Sequence, residues 1–180
     1  SIPGVCCWLL VLTAFWHLCT ASVGFAGEPL QTLKTYSEKV MHILQATQDK
    51  DQEITEKQLD KLRDLGREIF SFEQISMRTL GRNWPELNKE QQTEFVKLFP
   101  QLLEKNYLGK IHEYEQESVE FTRETIFSAR KAEVKSLIQT KSKEIPVDYR
   151  LVKLDEGWKV YDVVVEGVSL VRNYRSQFSE

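Results

Sequence analysis

The chain has 180 residues, with 24 Lys and Arg against 27 Asp and Glu, three Cys and 41% hydrophobic positions. That length and content suit one globular domain and argue against a multidomain enzyme. The net charge of −3 is dispersed along the chain, so the positive field that grips a phosphate backbone is missing and nucleic acid is not expected as a partner. Residues 1–26 contain no Asp, Glu, Lys or Arg. Within them Val5 to Trp16 is apolar over about a dozen residues, too short to cross a ~30 Å hydrocarbon core as a helix. Gly24-Phe25-Ala26 before Gly27 offers small side chains at the two positions that a signal peptidase pocket admits. Residues 1–26 are therefore expected to be a signal peptide cut after Ala26, and residues 27–180 a single exported domain. Cys6, Cys7 and Cys19 all lie in the leader, so the mature chain is expected to have neither disulfides nor thiolate metal sites.

From Glu28 to about Gln48, Leu30, Leu33, Ser37, Val40 and Leu44 recur at three- or four-residue spacing, which predicts a helix. A polar connector, Gln48 to Glu53, leads to a second, surface helix carrying Leu59, Leu62, Leu65 and Ile69. Phe72, Ile75 and Leu80 predict a short third helix stopped by Gly81. Asn83-Trp84-Pro85 is expected to form an extended corner. Asn88 with Gln91 resembles a capping box for a fourth helix, whose apolar stripe is Phe95, Leu98, Phe99, Leu102, Leu103 and Tyr107. Pro100 lies inside that stripe and predicts a kink or two stacked helices.

After Glu117 the period shortens to two. Val119, Phe121 and Ile126 mark a first strand; Ala132, Val134, Ser136 and Ile138 alternate with Glu133, Lys135, Leu137 and Gln139 in a second. Pro146 to Val152 predicts a third strand, Asp155-Glu156-Gly157 a tight turn, and Trp158 to Val165 a fourth strand, apolar on both faces and so central or covered on both sides. The fold class is α+β: N-terminal helices packed on a C-terminal antiparallel sheet of about four strands.

Residues that carry chemistry are sparse. His42 and His112 fall on separate segments without ligand-like spacing, no Gly-rich phosphate loop is present, and Ser169 lacks the flanking glycines of a nucleophile elbow. Asp162 beside Tyr161 on the fourth strand is the one candidate acid-base pair, as in a small cone-fold enzyme. No metal site or cofactor is expected.

One long stretch is distinctive. Gly157-Trp-Lys-Val-Tyr-Asp-Val-Val-Val-Glu-Gly-Val-Ser-Leu-Val-Arg-Asn-Tyr-Arg-Ser-Gln-Phe178 resembles the signature of the MlaC, or toluene-tolerance, family of periplasmic phospholipid-binding proteins. Phe70-Ser-Phe72, Leu80-Gly81-Arg82-Asn83-Trp84, Gln92-Thr-Glu-Phe95, Leu102-Leu103 and Tyr107 resemble the family's middle segment. The resemblance implies a monomeric carrier without an enzymatic step, whose cargo is phospholipid. It also implies two partners, an outer-membrane lipoprotein complex and an inner-membrane ABC transporter. Family members continue past the Asn-Tyr-Arg-Ser-Gln-Phe motif with a C-terminal helix, so that element is expected to be missing from this sequence.

The family holds acyl tails in an apolar cavity between sheet and helices. On the elements predicted above, the expected lining is Phe99, Leu103, Tyr107, Phe121, Ile126, Val134, Ile138, Val147, Tyr149, Leu151, Val163 and Val165. The same side chains could instead fill a solid core, which would make the protein a structural adaptor rather than a lipid carrier.

Overall fold

The structure is a computed structural model, described over residues 27–45, 55–107, 116–141 and 143–179. The expected signal peptide, the connector after the first helix and His112 lie outside the described residues. The elements are α1 (Glu28–Gln45), α2 (Glu56–Ile69), α3 (Phe72–Leu80), a 3₁₀ turn (Gly81–Glu86), α4 (Lys89–Tyr107), β1 (Gln116–Ser128), β2 (Lys131–Thr140), β3 (Glu144–Leu154), β4 (Gly157–Val165), β5 (Val168–Ser169) and α5 (Leu170–Gln177).

Helix starts follow local chemistry. Thr55 and Gln58 satisfy each other's backbone N–H at the head of α2, and Asn88 and Gln91 do the same at α4, each of those bonds 2.9 Å long. One expectation changes and another is narrowed. Asn83-Trp84-Pro85 belongs to a 3₁₀ turn rather than an extended corner: Gln92 donates its side-chain amide to the Trp84 and Leu87 carbonyls, and this holds the turn closed. Helix α4 runs unbroken through Pro100 instead of dividing there. Proline has no N–H, so the Val96 carbonyl loses its helical donor while the helix continues.

The strands lie in chain order, each antiparallel to the next. The sheet has five strands rather than about four, because Val165 turns back through Glu166 (φ 49°) and Gly167 (φ 83°) into the two-residue β5. Positive φ at both central residues is the tight hairpin geometry that glycine eases. On the helix-facing side, Ala132, Val134, Ser136 and Ile138 stand opposite Leu151, Tyr149, Val147 and Ile145. Lys135 faces Asp148 and Glu133 faces Arg150 on the other side. Strand β4 is flanked by β3 along its length. On its other edge, among the described residues, it pairs with β5 and with Phe70, which bridges to Val160.

Two hydrophobic clusters form the core. Leu33, Ile69, Ala132, Val134, Leu151, Trp158 and Val160 bury the sheet against α1 and α2. Ile75, Phe99, Val171 and Tyr174 join α3, α4 and α5, and Phe178 stacks on Tyr174 and meets Phe95 and Phe99 edge-to-face. Phe70 packs against both clusters.

Asp162 ties the second cluster to the sheet. It is 3% exposed and accepts from Arg150 at 3.0 Å, from the Ser169 hydroxyl at 2.7 Å and from the Val171 N–H at 3.1 Å. Ser169 in turn accepts from the Arg172 N–H and so caps α5. Removing the carboxylate with Asp162→Ala would leave the buried Ser169 hydroxyl and Val171 N–H without an acceptor while Arg150 keeps Glu133, an expected loss of about 2–4 kcal/mol read from urea denaturation.

Candidate functional site

The two clusters do not close on each other. Between them lies a cavity of about 950 Å³ with walls from every layer of the fold. Helix α2 contributes Leu62 and Gly66; Phe70, Phe72 and Ile75 form the segment into α3; Val96, Pro100 and Leu103 come from α4. The sheet supplies Ile138, Ile145, Val147, Tyr149, Val163 and Val165, and the last hairpin and α5 add Val168 and Leu170. Register explains the sheet's share: Ile138 pairs with Ile145, Val147 with Val165, and Tyr149 with Val163, so these side chains share one face.

Of the residues expected from sequence to line a cavity, Leu103, Ile138, Val147, Tyr149, Val163 and Val165 stand at its wall. Val134 and Leu151 are on the same sheet face but fully buried in the filled cluster beneath α1 and α2. Phe121 packs against that cluster, and Phe99 is buried among Ile75, Val171 and Tyr174. Ile126, near the tip of the β1–β2 hairpin, is 52% exposed. The side chain of Tyr107 lies outside the described residues. Alternation assigns a residue to a sheet face, but the helix covering that part of the face decides whether it meets packing or space.

Apart from Leu103, the helical wall was not among the residues expected from sequence. Gly66 was available as a signal, because it sits inside an amphipathic helix, where glycine is costly. An added Cβ there would meet nothing within 4 Å. Pro100 was a second signal: it and Val96, whose carbonyl it leaves without a helical donor, both face the cavity.

Charged groups ring this apolar space and are paired with one another. Arg63 reaches from α2 to Glu104 on α4, its Nε donating at 2.6 Å, and also contacts Asp60 at 2.7 Å. The Glu104 carboxylate, then Asp60, holds the Arg63 guanidinium still further above its ordinary value. Arg67 pairs with Asp64, and Lys143 pairs with Glu166 at 3.4 Å. Asp162 also borders the cavity, but its oxygens are occupied by Arg150, Ser169 and Val171. The Tyr161 ring lies under the Arg78 guanidinium at 4.3 Å. These partners give both residues structural duties and do not set them up as an acid-base couple. Among the described residues, no group of three or more His, Cys, Asp or Glu is placed to hold a metal ion, and no helix is long and apolar enough to cross a membrane.

Comparison with known proteins follows the same lines. The profile of the family described as MlaC protein matches residues 34–180. Among solved structures, a phospholipid-binding protein from Ralstonia solanacearum, determined in complex with a phospholipid, superposes with a TM-score of 0.70 at 24% identity. The alignment covers 85% of this chain and 86% of that one. Comparison with curated proteins finds no match.

Two measurements probe the cavity wall. Because the Gly66 position is open, Gly66→Ala should stabilise α2 by about 0.5–1 kcal/mol, seen as a higher urea midpoint with an unchanged slope. Burial raises the Tyr149 phenol above its ordinary value of 10.0, Ser136 opposing this weakly. A raised folded-state pKa contributes stability below the unfolded value and loses it as pH climbs through the folded one. The alkaline decline in stability should therefore be shallower in Tyr149→Phe, measured by denaturation across the range above pH 10.0.

Proposed function

Given that this chain belongs to the MlaC family, we propose that it carries glycerophospholipid through the periplasm. Its route runs between an outer-membrane lipoprotein complex and an inner-membrane ABC transporter, as the family resemblance implies. Residues 1–26 serve as the export signal, and residues 27–180 form a single lipid-binding domain that works as a monomer. The observation that carries this reading is the apolar cavity between sheet and helices.

Energetics explains why such a cavity is useful. Bringing an acyl chain into water costs about 0.8 kcal/mol per methylene, so two tails of roughly sixteen carbons represent on the order of 20–25 kcal/mol. An aliphatic and aromatic wall removes that penalty without help from charges. A methylene fills about as much space as a water molecule, roughly 30 Å³, so two such tails need on the order of 1000 Å³. The cavity's 950 Å³ is of that size. The lining expected from sequence that stands at the wall, Leu103, Ile138, Val147, Tyr149, Val163 and Val165, is assigned to tail contact. The exposed charges of Arg67, Lys97 and Lys143 lie at the edge where a head group would meet solvent.

Passing tails from bilayer to protein exchanges one apolar medium for another, so the transfer itself sets no direction. Direction comes from the docking partners and from ATP spent by the transporter. The phospholipid found with the Ralstonia solanacearum protein supports the same class of cargo here.

Organic extraction of the purified, folded domain followed by mass spectrometry should recover diacyl phospholipid. Gly66→Trp, which projects an indole into the cavity from a position where an added Cβ meets nothing within 4 Å, should lower the recovered lipid at least tenfold while Gly66→Ala retains it. A folded wild-type domain that neither contains lipid nor takes it up from vesicles would overturn the proposal.

A further inference from the structure

The start of α1 is held by a residue from the far side of the sequence. The Gly27 nitrogen donates to one oxygen of the Glu124 carboxylate at 2.8 Å, and the Leu30 N–H donates to the other at 2.9 Å. The Gly27 carbonyl accepts from Gln31 at 3.0 Å, so Gly27 is the capping residue of the helix and Glu124, on β1, stands in for a capping side chain. The contact is close: a Cβ at Gly27 would fall 2.3 Å from a Glu124 oxygen, so a larger residue there would have to shift that carboxylate. Gly27 is also the residue that follows the small-residue pattern Gly24-Phe25-Ala26 at the end of the uncharged leader.

We propose that Glu124 is the receptor for a free amine at Gly27, so that cleavage of the Ala26–Gly27 bond creates an ion pair that fastens α1 to the sheet. Hydrolysis by a leader peptidase adds one water across the bond. Its oxygen stays with the Ala26 carboxyl group, its hydrogens end on the Gly27 nitrogen, and the products are a carboxylate and an ammonium. The Gly27 nitrogen already sits at the carboxylate, so the new charge arises where a counter-ion waits.

The carboxylate is needed at this place because a helix start carries a partial positive charge. A bare ammonium there would be repelled by the helix it begins, and a carboxylate turns that repulsion into attraction. The carboxylate next in the chain is already paired. Glu28 is engaged by the Lys153 ammonium at 2.6 Å and by the Trp158 N–H at 3.0 Å, and Lys153 is occupied by the same pair. Gly27 and Leu30 lie at the α1 edge of the main core cluster, against which Leu30 packs, so docking the new terminus fixes a helix that buries Leu33.

The proposal concerns export and maturation and does not depend on lipid. Its test therefore has no lipid readout. The domain is prepared with a free amine at Gly27, with that amine acetylated, and with the free amine plus Glu124→Gln. The amine's titration is followed by the pH dependence of its acylation rate. In the first form it should titrate about one unit above the ordinary range of 7.7–8.0 for an α-amine, and Glu124→Gln should return it to that range. The free-amine form should melt about 2–4 °C above the acetylated form below pH 8, and the difference should vanish as pH rises through the amine's pKa. The acetylated comparison holds even if Glu124→Gln fails to fold. An amine titrating in the ordinary range, or an exported protein whose first residue is other than Gly27, would overturn the proposal.

Discussion

A single sheet face cannot be covered by these helices without leaving a gap, and the whole architecture follows from that. Helices α1 and α2 cover the part of the sheet that carries Ala132, Val134, Leu151 and Val160, while α3, α4 and α5 pack mainly on each other around Phe99 and Tyr174. Phe70 is the residue common to both groups, held there by a single parallel bridge to Val160. Either side of that bridge the packing is dense. Beyond it, the sheet residues from Ile138 to Val165 face helices that stand off from them. Empty apolar space of this size would ordinarily weigh heavily against stability. It is tolerable here because each cluster is complete in itself.

Polar contacts keep the two groups in register across the gap. Asp162 links the sheet to the start of α5 through Arg150, Ser169 and Val171, and Arg63 links α2 to α4 through Glu104. The two links differ in kind. The first is buried and fully satisfied, so it acts as a fixed joint. The second is partly open to water and competes with solvent and salt, so it holds α2 and α4 together more weakly.

Much of this was legible in the chain itself. Alternation in Lys131–Thr140 and the reciprocal cap at Asn88 are local patterns, and local patterns survive tertiary packing. The short connection between β2 and β3 makes them antiparallel neighbours. What could not be read was which part of the sheet face is filled and which is hollow, since Val134 and Val147 are chemically alike and differ only in the helix opposite them. Trp84-Pro85 and Pro100 show the other limit. At Trp84-Pro85 proline's local preference yields to a Gln92 amide that closes the turn, and at Pro100 the helix continues as one element.

The strand order carries a consequence for how the molecule comes into being. Because each strand pairs only with the strand before and after it in the chain, the meander assembles from adjacent hairpins with small loop-closure cost. The helices have the opposite requirement. Their apolar stripes have nothing to rest on until Val134, Leu151 and Val160 arrive, 65 to 127 residues on from Ile69 and Leu33. A chain threaded through a translocation pore from its N-terminus would thus present α1 and α2 first as unpartnered segments, kept dispersed by their dense charge. It would gain its template only with the final third of the polypeptide, so vectorial emergence holds back collapse until the sheet is nearly complete.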